Sequence, residues 1–149
     1  MRLSKKHLLL FVFLLGIKSL LYAQNHPDDV VGYYLTADPF SDAISQVCVY
    51  NDGKGAYEGI LIWTNDAAGK KYEGLIFLKN LVFNTHENEW ENGNIVYPGK
   101  PGKYKTYMRF ENDGRLRVRG YWGISLLGKT VFWTREKESR NPKIQHPGS

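Results

Sequence analysis

The 149-residue chain has one cysteine, six prolines and four histidines. With Cys48 alone no intrachain disulfide can form, so stability has to come from an apolar core. Cys48 shares a face of the alternating run SQVCVYN with Gln46 and Tyr50 and reads as a structural thiol with no activating neighbour. No segment of 30–135 carries the 3.6-residue periodicity of an amphipathic helix. Catalytic signatures are missing as well: there is no HExxH, GxSxG, CxxC or glycine-rich dinucleotide fingerprint. The run THENEWE gathers His86, Glu87, Glu89 and Glu91, but it reads as an acidic solvated turn. Glu58 and Glu73 lie in expected strands with nothing to pair them as acid and base. These absences predict a protein that is not an enzyme and holds no metal or cofactor.

What is present begins at the amino terminus. Arg2, Lys5 and Lys6 precede a nearly unbroken apolar run from His7 to Leu21, and Ala23 supplies a small residue at a cleavage point. This predicts a signal peptide over 1–23, a periplasmic or secreted address, and no membrane span after cleavage; Lys18 and the short run argue against an anchor. No cysteine follows the apolar run, which excludes a lipid-modified amino terminus. Without residues 1–23 the charge falls to 16 basic against 15 acidic side chains, so the sequence pI of about 9.2 does not argue for nucleic acid. The remaining charge is uneven. Residues 24–99 hold 4 basic and 11 acidic side chains, residues 100–149 hold 12 and 4.

From residue 30 apolar and polar residues alternate with period two. Strands are predicted near 30–36, 44–51, 55–64, 73–83, 90–97, 104–111, 115–122 and 129–135, with turn residues between them. About eight short, evenly spaced strands make an all-β domain over 24–135, a closed up-and-down antiparallel barrel or a sandwich. The segment 136–149 has no periodicity and is expected to be a disordered tail. Within KTYMRFENDGRLRVRGYW, a three-residue loop Asn112-Asp113-Gly114 pairs Phe110 with Leu116 and Met108 with Val118, and it requires Gly114 in the left-handed region.

Residues 123–130, GISLLGKT, match the phosphate-binding pattern GxxxxGK[ST]. A working phosphate loop opens a helix whose N–H groups hold the phosphates, whereas VFWTRE is strand chemistry. The match therefore reads as a strand-to-strand loop.

In RLRVRGY, Arg115, Arg117 and Arg119 share one face with Lys105, Tyr107 and Arg109 of the neighbouring strand. Facing outward they cost little; facing inward each unpaired charge costs several kcal/mol unless water or an anion fills the lumen. Outward is the expected orientation. If the stripe faces inward instead, Arg117 and Arg119, with Tyr121 and Trp122, are the candidate ligand-binding residues. The aromatics, Trp63, Trp90, Trp122 and Trp133 among them, either fill the lumen or build a sugar-stacking platform.

Trp90, Gly93, Ile95, Pro98 and Gly102, followed by Leu116, Val118, Arg119, Gly120, Tyr121, Gly123, Gly128, Thr130, Trp133 and Arg135, resemble the motifs of the DUF2147 family of exported bacterial proteins. DDVVGYYLT and YEGLIFLKNLVF also fit, so the resemblance spans nearly the whole expected domain. Departures are Val96-Tyr97 before the proline, Lys129 for an arginine, and Gly32-Tyr33-Tyr34 for Gly-x-Trp. The resemblance implies a lipocalin-like barrel with no established activity. It also implies that Gly32 and Tyr34 on the first strand and Trp133 and Arg135 on the last close the barrel, with Arg135 stacked on Tyr34. The functions expected are binding of a small amphipathic or anionic envelope ligand, or presentation of the basic face to an acidic envelope protein.

Overall fold

The computed structural model describes residues 23–123 and 128–149. Eight strands, β1 Gly32–Ala37, β2 Ile44–Asn51, β3 Tyr57–Thr64, β4 Ile76–Asn84, β5 Glu89–Ile95, β6 Tyr104–Phe110, β7 Leu116–Tyr121 and β8 Lys129–Glu136, form a closed barrel in sequence order. Each strand pairs antiparallel with the next, and β1 pairs with β8. Closure removes every sheet edge and decides for the barrel over the sandwich. The predicted strand at 73–83 starts later. Residues Lys70–Tyr72 form a 3₁₀ turn, and Gly74, at φ 91°, donates from its N–H to the Leu61 carbonyl before β4 begins.

Alternation places the core. Thr106 and Met108 of β6 point inward and are buried, while Lys105 and Arg109 point out and are exposed. Leu116 and Val118 of β7 pack against them, so Arg117 and Arg119 project outward, in the lower-cost orientation. The β6–β7 register is the expected one, Phe110 to Leu116 and Met108 to Val118, and Gly114 sits at φ 83°.

The two ends of the barrel differ. The β2–β3, β4–β5 and β6–β7 hairpins turn at one end, and a 3₁₀ turn over Pro27–Val30 lies across it. Val30 from that turn is fully buried and plugs the lumen. The longer loops 38–43, 65–75 and 96–103 gather at the other end.

Of the segment 136–149, read from the sequence as a disordered tail, Glu136 ends β8 and 137–149 is placed along the outside of β2 and β3. Those strands are apolar on both faces: Val47 and Val49 face the lumen, while Cys48, Tyr50, Ile60 and Ile62 form a second cluster outside, against which Ile144 packs. Buried Gln46 holds the start of the segment, accepting from the Arg140 N–H at 2.7 Å and donating to the Glu138 carbonyl at 2.9 Å. His146 stacks on Tyr50 at 4.6 Å. Beneath this cover burial pushes the Cys48 thiol up to about 11, as an inert thiol requires.

Candidate ligand site at the open end of the barrel

The lower lumen is solid. Tyr34, Leu81, Trp90, Met108 and Leu116 are fully buried there, with Trp90 packed against Phe83 at 4.8 Å and edge-on to Phe110 at 5.6 Å. Closure follows the expected pairing. Tyr34 lies opposite Arg135, whose guanidinium sits 4.8 Å from the Tyr34 ring centre and donates to the Tyr34 hydroxyl at 2.7 Å. Arg135 also donates to the carbonyls of Val31 and Asp29, tying the plug to β8. A side chain on residue 32 would place its Cβ 2.4 Å from Arg135 Nη1, and φ there is 148°, so glycine is required. Burial, only partly offset by Arg135, pushes the Tyr34 phenol up to about 12.

Above this floor the lumen opens into a cavity of about 160 Å³, walled by Val47, Leu61, Phe77, Tyr97, Val131 and Trp133, with Ser45 and Thr64 among them and Asp38 and Asp66 at its rim. A second compartment of about 100 Å³ lies beside it and shares Pro39, Tyr97 and Val131. Burial, reinforced by the Asp38 charge, pushes the Tyr97 phenol up to about 12, so it is a neutral hydroxyl at physiological pH.

Two features of this cavity are chemically distinctive. Trp133 is 3 % exposed, and its Nε1 is a buried donor with no partner among the described residues. A buried N–H left unpaired costs about 1–3 kcal/mol, so an acceptor brought to that point gains the difference. At the rim, Phe40 sits edge-on to Tyr97 at 5.1 Å, and the ammonium groups of Lys100 and Lys129 lie 4.9 and 4.7 Å from its ring centre. Lys129 also donates to the Pro39 carbonyl at 3.0 Å.

The residues expected to bind ligand from an inward stripe do not meet here. Arg117 and Arg119 lie on the outer wall, where Arg119 donates to the Thr130 hydroxyl at 2.8 Å. Tyr121 is also outside, with its ring 6.3 Å from Tyr107. Trp122 is 56 % exposed at the rim, edge-on to Tyr104. Phe40 and Lys100 went unnoticed in the sequence because they lie in loops with no periodicity. Trp133, expected to close the barrel and named among the aromatics that fill the lumen or stack on sugar, lines the cavity. In GISLLGKT, residues 124–127 lie outside the described residues, and Lys129 opens strand β8, the strand continuation expected there.

The family model of DUF2147, uncharacterised proteins conserved in bacteria, matches residues 32–135. Among solved structures, a protein from the human pathogen Helicobacter pylori that belongs to the lipocalin family is similar, with a TM-score of 0.62 and 18% identity over 74% of this chain and 84% of that one. At that identity the likeness concerns the fold. No curated protein sequence matches the chain.

Proposed function

We propose, for a chain that belongs to the DUF2147 family of uncharacterised proteins conserved in bacteria, that the barrel is exported and binds a small amphipathic molecule through its open end without catalysis. The observation that carries this reading is the cavity at the open end, walled by Leu61, Phe77 and Val131 and lined also by Trp133, whose buried Nε1–H has no partner among the described residues. A mainly apolar pocket with a few polar groups orients a ligand as well as holding it. The body of the ligand packs on Phe77, Leu61 and Val131, and an acceptor oxygen meets Trp133. Asp38 and Asp66 disfavour an acidic group at the mouth of the first cavity, whereas Lys129 favours one on the side of the second compartment, which it lines. The cavity of about 160 Å³ is below the roughly 300–1,000 Å³ of sites for larger ligands, so the bound portion is small unless Phe40 swings aside and joins the two compartments.

The test is titration with the fluorescent amphipathic anion 1-anilinonaphthalene-8-sulfonate, with decanoate as competitor. Saturable enhancement is expected, displaced by decanoate and weakened about three- to tenfold by Trp133→Phe, the worth of one hydrogen bond. No saturable binding, or binding indifferent to Trp133→Phe, sinks the reading.

A second reading draws on the outer wall. Arg109 lies directly opposite Arg117 across β6 and β7, and Glu111 stands 3.8 Å from each. Like charges directly opposed are unfavourable, and an acidic envelope protein docked there would relieve them. Cross-linking in the envelope that survives Arg109→Glu, Arg117→Glu counts against it.

A further inference from the structure

The barrel wall carries a second concavity, separate from the lumen. On the outside of β5 and β6 lies a groove of about 420 Å³, lined by Glu89, Glu91, Asn94, Lys105, Tyr107 and Tyr121. Its origin is a pair of bulges. Pairing of β3 with β4 shifts between Tyr57–Leu81 and Gly59–Leu78, so that β4 carries the extra residue, while β4 keeps a single register against β5. Pairing of β5 with β6 jumps from Trp90–Met108 to Gly93–Thr106 at the same level. Asn80 and Asn92 take φ of 64° and 63°, which asparagine tolerates better than most residues. Gly93 is required because a Cβ there would lie 2.6 Å from Thr106 Cγ2 and 2.7 Å from Leu81 Cδ2. A bulge bends its strand and interrupts the ladder, and here the interruption forms the floor of the groove.

The lining selects among ligand classes. Glu89 and Glu91 disfavour an anion, and Lys105 disfavours a cation; among the described residues no three acidic, histidine or cysteine side chains gather as a metal site. An apolar ligand would bury carboxylates and carboxamides without partners, at a cost of about 1–3 kcal/mol each. A neutral polyol suits all of them. Carboxylates accept from hydroxyls, and Asn94 both donates and accepts. Lys105 donates, and the Tyr121 and Tyr107 rings, the latter carrying the Arg117 guanidinium 5.9 Å from its centre, line the groove with apolar surface for the C–H face of a pyranose. Glu91 is already oriented by Asn84, which donates to it at 2.9 Å. Burial and the neighbouring Glu91 charge raise the Glu89 carboxyl above its ordinary value. We propose that the β5–β6 groove is a binding site for a neutral oligosaccharide, independent of the lumen.

The experiment is an amide-resolved NMR titration of the protein with three neutral trisaccharides, chitotriose, cellotriose and maltotriose, each to about 10 mM, a range that reveals millimolar binding. At least one is expected to give saturable shifts concentrated at Glu89–Asn94 and Lys105–Tyr107. Affinity should fall tenfold or more in Tyr107→Ala and in Asn94→Ala, two variants on different strands, each checked for an unchanged spectrum elsewhere. Trp133→Phe should leave saccharide binding as it is while weakening the lumenal probe, so the two sites fail separately. Saturable shifts that map to the rim around Phe40, or no shifts with any of the three sugars, overturn the proposal.

Discussion

Trp90 and Trp133 are the same residue on the same inner surface, both buried; Trp90 is packed into the closed end, while Trp133, 6.0 Å from Tyr34, lines the cavity above it. Trp90 donates from Nε1 to the Pro27 carbonyl at 2.9 Å and is wedged between Phe83 and Phe110. Around it the polar groups of the closed end are matched. Tyr34 donates to the Val30 carbonyl at 2.8 Å and accepts from Arg135, and Tyr57 donates to Asp28 at 2.6 Å. That contact with Tyr57 is the main reason the Asp28 carboxyl is held below its ordinary value. Trp133 faces a cavity and has no such partner among the described residues. One end is built for stability, and the other accepts an unsatisfied donor that a ligand can use.

The largest effect should come from the closed end. Trp90→Ala removes a fully buried ring from a filled site and should cost about 3–5 kcal/mol in urea unfolding. A loss below about 1 kcal/mol would mean that this end is not the stabilising one. Arg135→Ala should cost about 1–3 kcal/mol, through the ring contact and the hydrogen bonds to the plug. Arg135→Lys should recover less than half of that, because an ammonium lacks the planar fork. Unchanged thermal stability in Arg135→Ala would refute the closure.

Alkaline titration sharpens the same contrast. The Tyr34 phenol is raised to about 12 from its ordinary value of 10.0, so the folded state keeps its proton after the unfolded chain has lost it. Stability contributed by this group is therefore complete below about pH 10 and lost as pH rises towards 12, on the order of 1–2 kcal/mol. Tyr34→Phe should flatten that part of the pH profile, measured by urea midpoints.

Smaller effects are expected at the open end. Trp133→Phe should change stability by no more than about 1 kcal/mol, because the lost ring volume is offset by removal of an unpaired donor. Trp90→Phe should cost clearly more; equal losses in the two variants would erase the distinction between the ends. Phe40→Ala should stay within about 0.5 kcal/mol yet speed release of the fluorescent probe in stopped-flow, since the ring is 39 % exposed at the rim.

Several of these elements were legible in the residues. The β6–β7 register followed from matching apolar with apolar across a glycine turn, and the Tyr34–Arg135 contact from parity on the first and last strands together with the family resemblance. The placement of 137–149 was not read. Its signal was present, though, in SQVCVYN and GILIWT, whose apolar residues fall on both faces and so require cover on both. The outer groove was hidden for another reason. Bulges of β4 against β3 and of β5 against β6, near Asn80 and Asn92, break the period-two alternation by one residue, and a linear pattern does not show which strands bulge together.

Alternation, turn glycines and a lone cysteine determined an all-β meander, because a period of two puts one set of side chains inside whatever the strands later enclose. Tertiary structure alone decided how far that interior is filled. Cavity volume depends on where loops such as 38–43 and 96–103 fold back over the mouth, and an unpartnered donor exists only relative to neighbours distant in sequence. Trp90 and Trp133 look alike in the chain; the Pro27 carbonyl reaches one of them, and the other faces the cavity.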